Sequence, residues 1–178
     1  WNVGIAEWNM WLQASHWDGR VFEEPPTALH GLFIAGMIRR FAAFAPDFEF
    51  ACFYNLVNCM GILNRYNADV EVTDSVAIFK LYRDAVPGRF VPANLEGENI
   101  EGVEALVLEN KGGRWLFLTN NNFDKSARVT LDAALPANAK IVSMAAAKTV
   151  GKFSAATLKV TGNTVELPPL SITRVHCE

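Results

Sequence analysis

The spacing of apolar positions along this chain changes part-way. Up to about residue 88 they fall in short continuous runs and at helical intervals; beyond it they alternate with polar residues. Val3-Gly4-Ile5-Ala6 is a short apolar run of the kind a fully buried strand carries. Residues 15–24 are polar and read as a long loop. Pro25-Pro26-Thr27 then supplies a helix start with Thr27 as the cap, and Leu29, Leu32, Phe33, Gly36, Met37 and Phe41 predict one apolar face on a helix over 28–44. Pro46 predicts a short second helix leading into a buried strand over 52–58. After a further loop, Thr73 or Asp74 caps a helix through Val76, Phe79, Leu81 and Tyr82, which Pro87-Gly88 stops. Strand, loop, helix, strand, loop, helix amounts to two βα units of a parallel sheet.

The second half predicts strands over 104–109, 114–120, 127–131, 140–144, 158–161, 164–167 and 171–176. Gly112-Gly113, Asn120-Asn121-Asn122, Pro136 and Gly162-Asn163 separate them. Short strands at this interval, with this punctuation, indicate an antiparallel β-sandwich. The fold class is therefore α/β plus all-β, with residues 1–88 as the α/β part and 89–178 as the sandwich. Thr149-Val150-Gly151-Lys152-Phe153-Ser154 lacks the glycine and Gly-Lys-Ser/Thr order of a phosphate loop, and reads as a turn between strands.

Composition narrows the function classes. The 51% hydrophobic and 20% charged residues are enough apolar material for a core and too much for disorder. A net charge of −3 with no Lys/Arg cluster gives no electrostatic basis for nucleic-acid binding. Arg39-Arg40 reads as the wet side of the first helix. The run 28–38 is far short of the ~20 residues of a membrane span. Three cysteines, Cys52, Cys59 and Cys177, have no metal-type spacing. Read as free thiols they favour a cytoplasmic setting. A complete (β/α)8 barrel needs about 250 residues, so 178 cannot hold one and a sandwich as well.

The position with the most chemistry is Glu7, a carboxylate that follows an apolar strand. At the C-terminal end of a barrel strand this is the catalytic face. Trp8 and Trp11 offer ring faces for a sugar, and Asn9 an amide for its hydroxyls. The same pattern also fits a strand-end glutamate paired with an arginine or capping a helix. His16 and Trp17, in the loop that follows, are either substrate contacts or loop packing, and His30 reads as an ordinary helical residue.

Ile5-Ala6-Glu7-Trp8-Asn9-Met10-Trp11 resembles the strand-7 motif of the α-L-arabinofuranosidases of glycoside hydrolase family 51, in which Asp-Glu-Trp-Asn carries the nucleophile. Tyr54-Asn55-Leu56-Val57-Asn58 is similar to that family's Ala-Gln-Leu-Val-Asn on strand 8. The stretch from Val72 to Tyr82 resembles its final barrel helix and the approach to it, and Leu167-Pro168-Pro169-Leu170-Ser171-Ile172 the close of its C-terminal sandwich. The chain departs at Ala6, where the family has Asp, and at Asn55, where it has Gln.

The resemblance implies the last two βα units of a (β/α)8 barrel followed by the sandwich, within a retaining glycosidase that needs no cofactor or metal. Glu7 would be its nucleophile, with Trp8, Asn9, Trp11, His16, Tyr54 and Asn55 contacting an arabinofuranosyl oligosaccharide. The family's acid/base belongs to an Asn-Glu motif on strand 4, which Glu23, Glu24 and Glu49 do not match. The expectation is thus half of a catalytic pair, inactive alone, whose exposed barrel face is covered by the rest of a barrel or by self-association. Another retaining glycosidase of the same clan, such as a xylosidase, and a non-catalytic binding or assembly module are the alternatives.

Overall fold

The computed structural model describes residues 3–10, 27–45, 47–57, 61–66 and 68–178. Strand β1 (Val3–Trp8) lies parallel to β2 (Phe48–Phe53), with Val3 opposite Phe48, Ile5 opposite Ala51 and Trp8 opposite Phe53. Helix α1 (Ala28–Phe44) connects them in sequence and begins, as expected, after Thr27. The expected short helix after Pro46 is absent from the described residues, and β2 starts four residues upstream of the expected 52–58 strand, at Phe48 rather than Cys52. A proline disfavours helical backbone in the residue before it. Ala45 is accordingly extended (φ −63°, ψ 139°), and α1 ends at Phe44.

The stretch expected as a loop before residue 73 contains a hairpin, β3 (Leu63–Tyr66) with β4 (Asp69–Val72). Helix α2 (Asp74–Tyr82) follows with Thr73 at its N-cap, and a 3₁₀ turn (Arg83–Ala85) extends it. The Thr73 hydroxyl reaches the Gly61 carbonyl at 2.8 Å, tying the start of α2 to the base of the hairpin.

Two sheets form the sandwich. The larger has six strands in the order β11 (Ser154–Ala155), β10 (Lys140–Ala145), β14 (Ser171–Cys177), β8 (Gly113–Asn120), β7 (Val103–Asn110), β5 (Arg89–Val91). The smaller has β12 (Lys159–Thr161), β13 (Thr164–Leu167), β9 (Ala127–Thr130) and β6 (Gly97–Glu98). All seven expected strands lie within one residue of their expected starts; β5, β6 and β11 are additional and short. The β7–β8 turn requires glycine at 113, where φ is +123° and a Cβ would come within 2.2 Å of the Cys177 carbonyl oxygen.

The middle strands of the larger sheet, β7, β8 and β14, are buried on both faces. Successive strand residues point to opposite sides, and here both sides are dry. Val103 and Leu118 pack with Ala127, Val129, Val165 and Leu167 in the sandwich interior. Leu106, Leu108, Trp115, Phe117 and Ile172 pack with Ala28, Leu32, Ala35, Ile78, Leu81 and Tyr82 of the two helices. Phe117 stacks on Tyr82 with ring centroids 4.1 Å apart and planes 16° apart. Burial on this scale contributes about 1.5–3 kcal/mol for each large apolar side chain.

Helix α1 therefore has more than one apolar face. Ala28, Gly31, Leu32 and Ala35 are buried, whereas Leu29, Phe33 and Met37 of the expected face are half-buried. Arg39 and Arg40 are paired across to Glu104 of β7, at 3.4 Å each, rather than free in water.

The first turn of α1 is held by the sandwich. The connection between β10 and β11 presents the Gly151 carbonyl to the Ala28 N–H at 2.8 Å and the Thr149 carbonyl to the Leu29 N–H at 3.2 Å. These are two of the donors that a helix N-terminus leaves without internal partners. The same connection donates the Phe153 N–H to the Asp74 carboxylate at the start of α2, at 2.7 Å, and lays the Phe153 ring over Gly31.

Truncation of Phe117 to Ala is expected to lower unfolding stability by about 3–5 kcal/mol, because it opens a cavity between two filled layers. Truncation of Phe123, 65% exposed, is expected to change it by less than about 0.5 kcal/mol. Urea denaturation followed by tryptophan fluorescence compares the two; equal effects would contradict the two-sided burial.

Candidate functional site

Glu7 is the penultimate residue of β1 and is exposed. It therefore sits at the C-terminal end of the strand, as the sequence implied. Its neighbour Trp8 does something different from what was expected. It is 9% exposed and packs edge-on against Phe41 and Phe53, centroids 5.2 and 5.0 Å away, with Phe33 and Phe79 each at 6.4 Å. Its faces are occupied by α1, β2 and α2, so in this structure Trp8 is a core residue and offers no platform to a sugar. Adjacent strand positions face opposite sides, and an aromatic cluster on the helix side claims position 8.

Asn9 joins the ends of the two parallel strands. Its Nδ2 donates to the Tyr54 carbonyl, its Oδ1 accepts the Met10 N–H at 2.7 Å, and the Tyr54 N–H reaches the Trp8 carbonyl at 3.0 Å. Glu7, Asn9 and Tyr54 are thus brought to one end of the β1–β2 pair. Asn55 follows directly, across a cis peptide bond, with its Oδ1 accepting the Leu56 N–H at 2.6 Å and its carbonyl accepting the Ile62 N–H at 3.2 Å. Both Tyr54 and Asn55 are half-buried. Trp11, His16, Trp17, Glu23, Glu24, Asn58 and Cys59 lie outside the described residues. Glu49 of β2 falls beside Val3 and Gly4, at the opposite end of β1 from Glu7.

One residue of this region escaped the sequence reading as a site residue. His30, in the first turn of α1, is 1% exposed. Its Nδ1 accepts the Thr27 main-chain N–H at 3.1 Å, and the Thr27 hydroxyl lies 3.1 Å from the same nitrogen. This is the reciprocal arrangement of a capping box with an imidazole in the place usually held by Glu or Gln. Burial lowers the His30 pKa below its ordinary value, and the Met10 backbone pulls the other way. The available signal was Thr27-Ala28-Leu29-His30, which has the Thr-x-x-X frame of such a box without its usual last residue.

No group of three or more His, Cys, Asp or Glu among the described residues is arranged to hold a metal ion. No helix among them is long and apolar enough to cross a membrane. A cleft of about 640 Å³ is built wholly from sandwich residues such as Leu95, Leu116, Leu131, Leu135 and Val175, away from Glu7.

A parallel strand pair with helices packed against a β-sandwich is a fold that this chain shares with part of several solved glycoside hydrolases. In particular, the chain superposes on the GH51 arabinofuranosidase from Xanthomonas axonopodis pv. citri with a TM-score of 0.78 and 18% identity, over 97% of this chain and 40% of that one. On the thermostable GH51 α-L-arabinofuranosidase from Thermotoga petrophila RKU-1 it gives 0.79 and 16%, over 99% and 43%. The catalytic domain of the GH30 xylanase C from Talaromyces cellulolyticus gives 0.64 and 18%, over 98% and 40%. The chain thus spans about two fifths of the length of these structures. No family model and no curated protein matches the sequence.

Asn9→Ala is expected to lower stability by about 1–2 kcal/mol, since it removes the donor to Tyr54 and the acceptor for Met10. Asn9→Asp keeps the acceptor alone and should fall between Ala and wild type. Chemical denaturation of the three proteins at pH 7 tests this order; an Asn9→Ala protein as stable as wild type would show that the strand ends are held by something else.

Proposed function

We propose that the chain is the C-terminal part of a retaining glycoside hydrolase that releases terminal α-L-arabinofuranosyl groups from arabinan- or arabinoxylan-type oligosaccharides, with Glu7 as its nucleophile. The observation that carries this reading is an exposed glutamate at the C-terminal end of β1, in a fold shared with GH51 arabinofuranosidases. A retaining enzyme places two carboxyl groups about 5–5.5 Å apart. One attacks the anomeric carbon; the other protonates the leaving oxygen, then takes a proton from water as the glycosyl–enzyme ester is hydrolysed.

Glu7 is suited to the first role because it is exposed at the strand end, while Asn9 and Tyr54 fix the neighbouring main chain. The second carboxyl group would come from outside the described residues, since Glu49 stands at the far end of the strand. Further barrel units would cover the apolar face that Val3, Phe50 and Leu56 present, 51%, 52% and 62% exposed. Trp11 and His16 would contact the sugar from the segment that follows Asn9, and Asn55 from the end of the second strand. No cofactor or metal is required, because carboxylates suffice for the chemistry. The likeness to a GH30 xylanase favours one second reading, a retaining glycosidase of the same general architecture acting on xylosides.

In the native protein that carries these residues, Glu7→Gln is expected to reduce hydrolysis of 4-nitrophenyl α-L-arabinofuranoside by at least about a thousand-fold. Azide should restore turnover to Glu7→Ala, giving the glycosyl azide of inverted anomeric configuration, because azide attacks the face that Glu7 vacates. Wild-type turnover by Glu7→Gln would end the nucleophile assignment. Preference for the corresponding β-xyloside would select the second reading. The 178 residues alone are expected to show no turnover of either substrate.

A further inference from the structure

Thr73 stands at the N-cap of α2, yet its side chain does not cap the helix. A threonine there ordinarily accepts a hydrogen bond from an N–H of the first turn. Here the buried hydroxyl turns the other way and donates to the Gly61 carbonyl at 2.8 Å, with the Ile62 carbonyl as a second acceptor at 3.0 Å. The Thr73 N–H also goes to the Ile62 carbonyl, at 3.0 Å. Asp74, the next residue, is likewise engaged outside its own helix. Its carboxylate accepts the Phe153 N–H of the sandwich at 2.7 Å.

These bonds lead to the strand end. The C=O and N–H of one trans peptide point in opposite directions. A group that holds the Gly61 carbonyl therefore also aims the Ile62 N–H of the same peptide unit. That N–H donates to the Asn55 carbonyl at 3.2 Å, and the neighbouring Leu63 N–H to the Leu56 carbonyl at 3.0 Å. The Leu56 N–H in turn holds Oδ1 of the Asn55 side chain at 2.6 Å. Both the main chain and the side-chain amide of Asn55 are thus set by contacts that begin at Thr73. Asn55 follows Tyr54, which is bonded to Trp8 and Asn9, the two residues after Glu7. A threonine that only anchored the β3–β4 hairpin would act on stability. One that also fixes Asn55 acts on sugar binding, and the two effects are separable.

We propose that Thr73 is a positioning residue for the sugar site. Through the Gly61–Ile62 peptide its hydroxyl holds Asn55 in place to donate from Nδ2 to a sugar hydroxyl, and the Asp74–Phe153 bond anchors this junction to the sandwich. The role toward the sugar rests on the glycosidase reading; the hydrogen-bonded connection from Thr73 to Asn55 does not.

The experiment uses the native protein that carries these residues. Its two readouts are KM and kcat on 4-nitrophenyl α-L-arabinofuranoside, and hydrogen exchange at the Ile62 amide. Thr73→Val keeps the shape and loses the hydroxyl. It is expected to raise KM about ten-fold and to change kcat by less than about three-fold, as for loss of a contact made equally to bound sugar and transition state. Thr73→Ser, which keeps the hydroxyl, should bring KM back to within about three-fold of wild type. The Ile62 amide should exchange at least about ten-fold faster in Thr73→Val, while amides of the β8–β14 pair keep their wild-type rates. In an Asn55→Ala background, Thr73→Val should raise KM no further, because the side chain it acts through is already gone. Asp74→Ala leaves the buried hydroxyl in place and should move both readouts in the same direction by about three-fold. Asp74→Asn keeps an acceptor for Phe153 and should reverse that change.

Wild-type exchange at Ile62 in Thr73→Val would overturn the proposal whatever the activity; if that variant does not fold, the same result in Asp74→Ala overturns it. An unchanged KM in Thr73→Val, or effects that add to those of Asn55→Ala, would rule out action through the sugar contact. Wild-type behaviour of Asp74→Ala beside an altered Thr73→Val would remove the sandwich anchor from the proposal. Absence of hydrolysis by the wild type would count against the glycosidase reading, with exchange at Ile62 still deciding on the connection to Asn55.

Discussion

Phe117 and Leu118 are neighbours in β8, point to opposite sides of one sheet, and are 1% and 0% exposed. That double burial is the constraint on which the molecule depends. A sheet with one wet face can tolerate substitution on that face; the middle strands β7, β8 and β14 have none to spare. The smaller sheet covers one side with Val129, Val165 and Leu167, and the helices cover the other with Leu32, Ile78 and Tyr82. The two halves of the chain are consequently parts of one packed body, with the six-stranded sheet as the shared layer between them.

The helices transmit that order to the strand end. The six-stranded sheet fixes α1 from below through Leu32 and Ala35, and Glu104 holds its far end through Arg39 and Arg40. On its other side α1 meets the aromatic cluster around Trp8, which sets the height and tilt of β1. Exposed ion pairs such as Arg40–Glu104 contribute about 0–1 kcal/mol. The aromatic packing is therefore the larger restraint on β1, and Trp8 serves the strand end by being rigid inside the core.

Much of the sandwich could be read in advance because period-2 alternation and Gly/Asn turns both mark it: β13 falls at 164–167, as the pattern around Gly162-Asn163 indicated. The helices were legible for a similar reason, each having a threonine at its N-cap and apolar residues at helical intervals. The β3–β4 hairpin was not, since Val70 and Val72 alternate with charge but are 61% and 60% exposed, leaving no buried face to reinforce the pattern. At the site, the place of Glu7 at a strand end was legible in the apolar run before it, whereas the linkage of Asn9 with Tyr54 was not. Trp8 was misread because composition near a carboxylate says nothing of which face a side chain takes. The support from Thr149 and Gly151 was invisible for a deeper reason: main-chain carbonyls are present at every residue, so a cap built from them leaves no mark in the sequence.

That carbonyl cap also bears on how the chain acquires its shape. Ala28 and Leu29 receive their partners from Gly151 and Thr149, more than a hundred positions later. A contact so remote along the chain carries a large loop-closure entropy and forms late, once the intervening strands have condensed. During synthesis, α1 leaves the ribosome long before its first turn has anything to bond. The strand end that bears Glu7 thus becomes fully ordered only when the last third of the polypeptide has folded, which makes the sandwich the timekeeper of the site as well as its foundation.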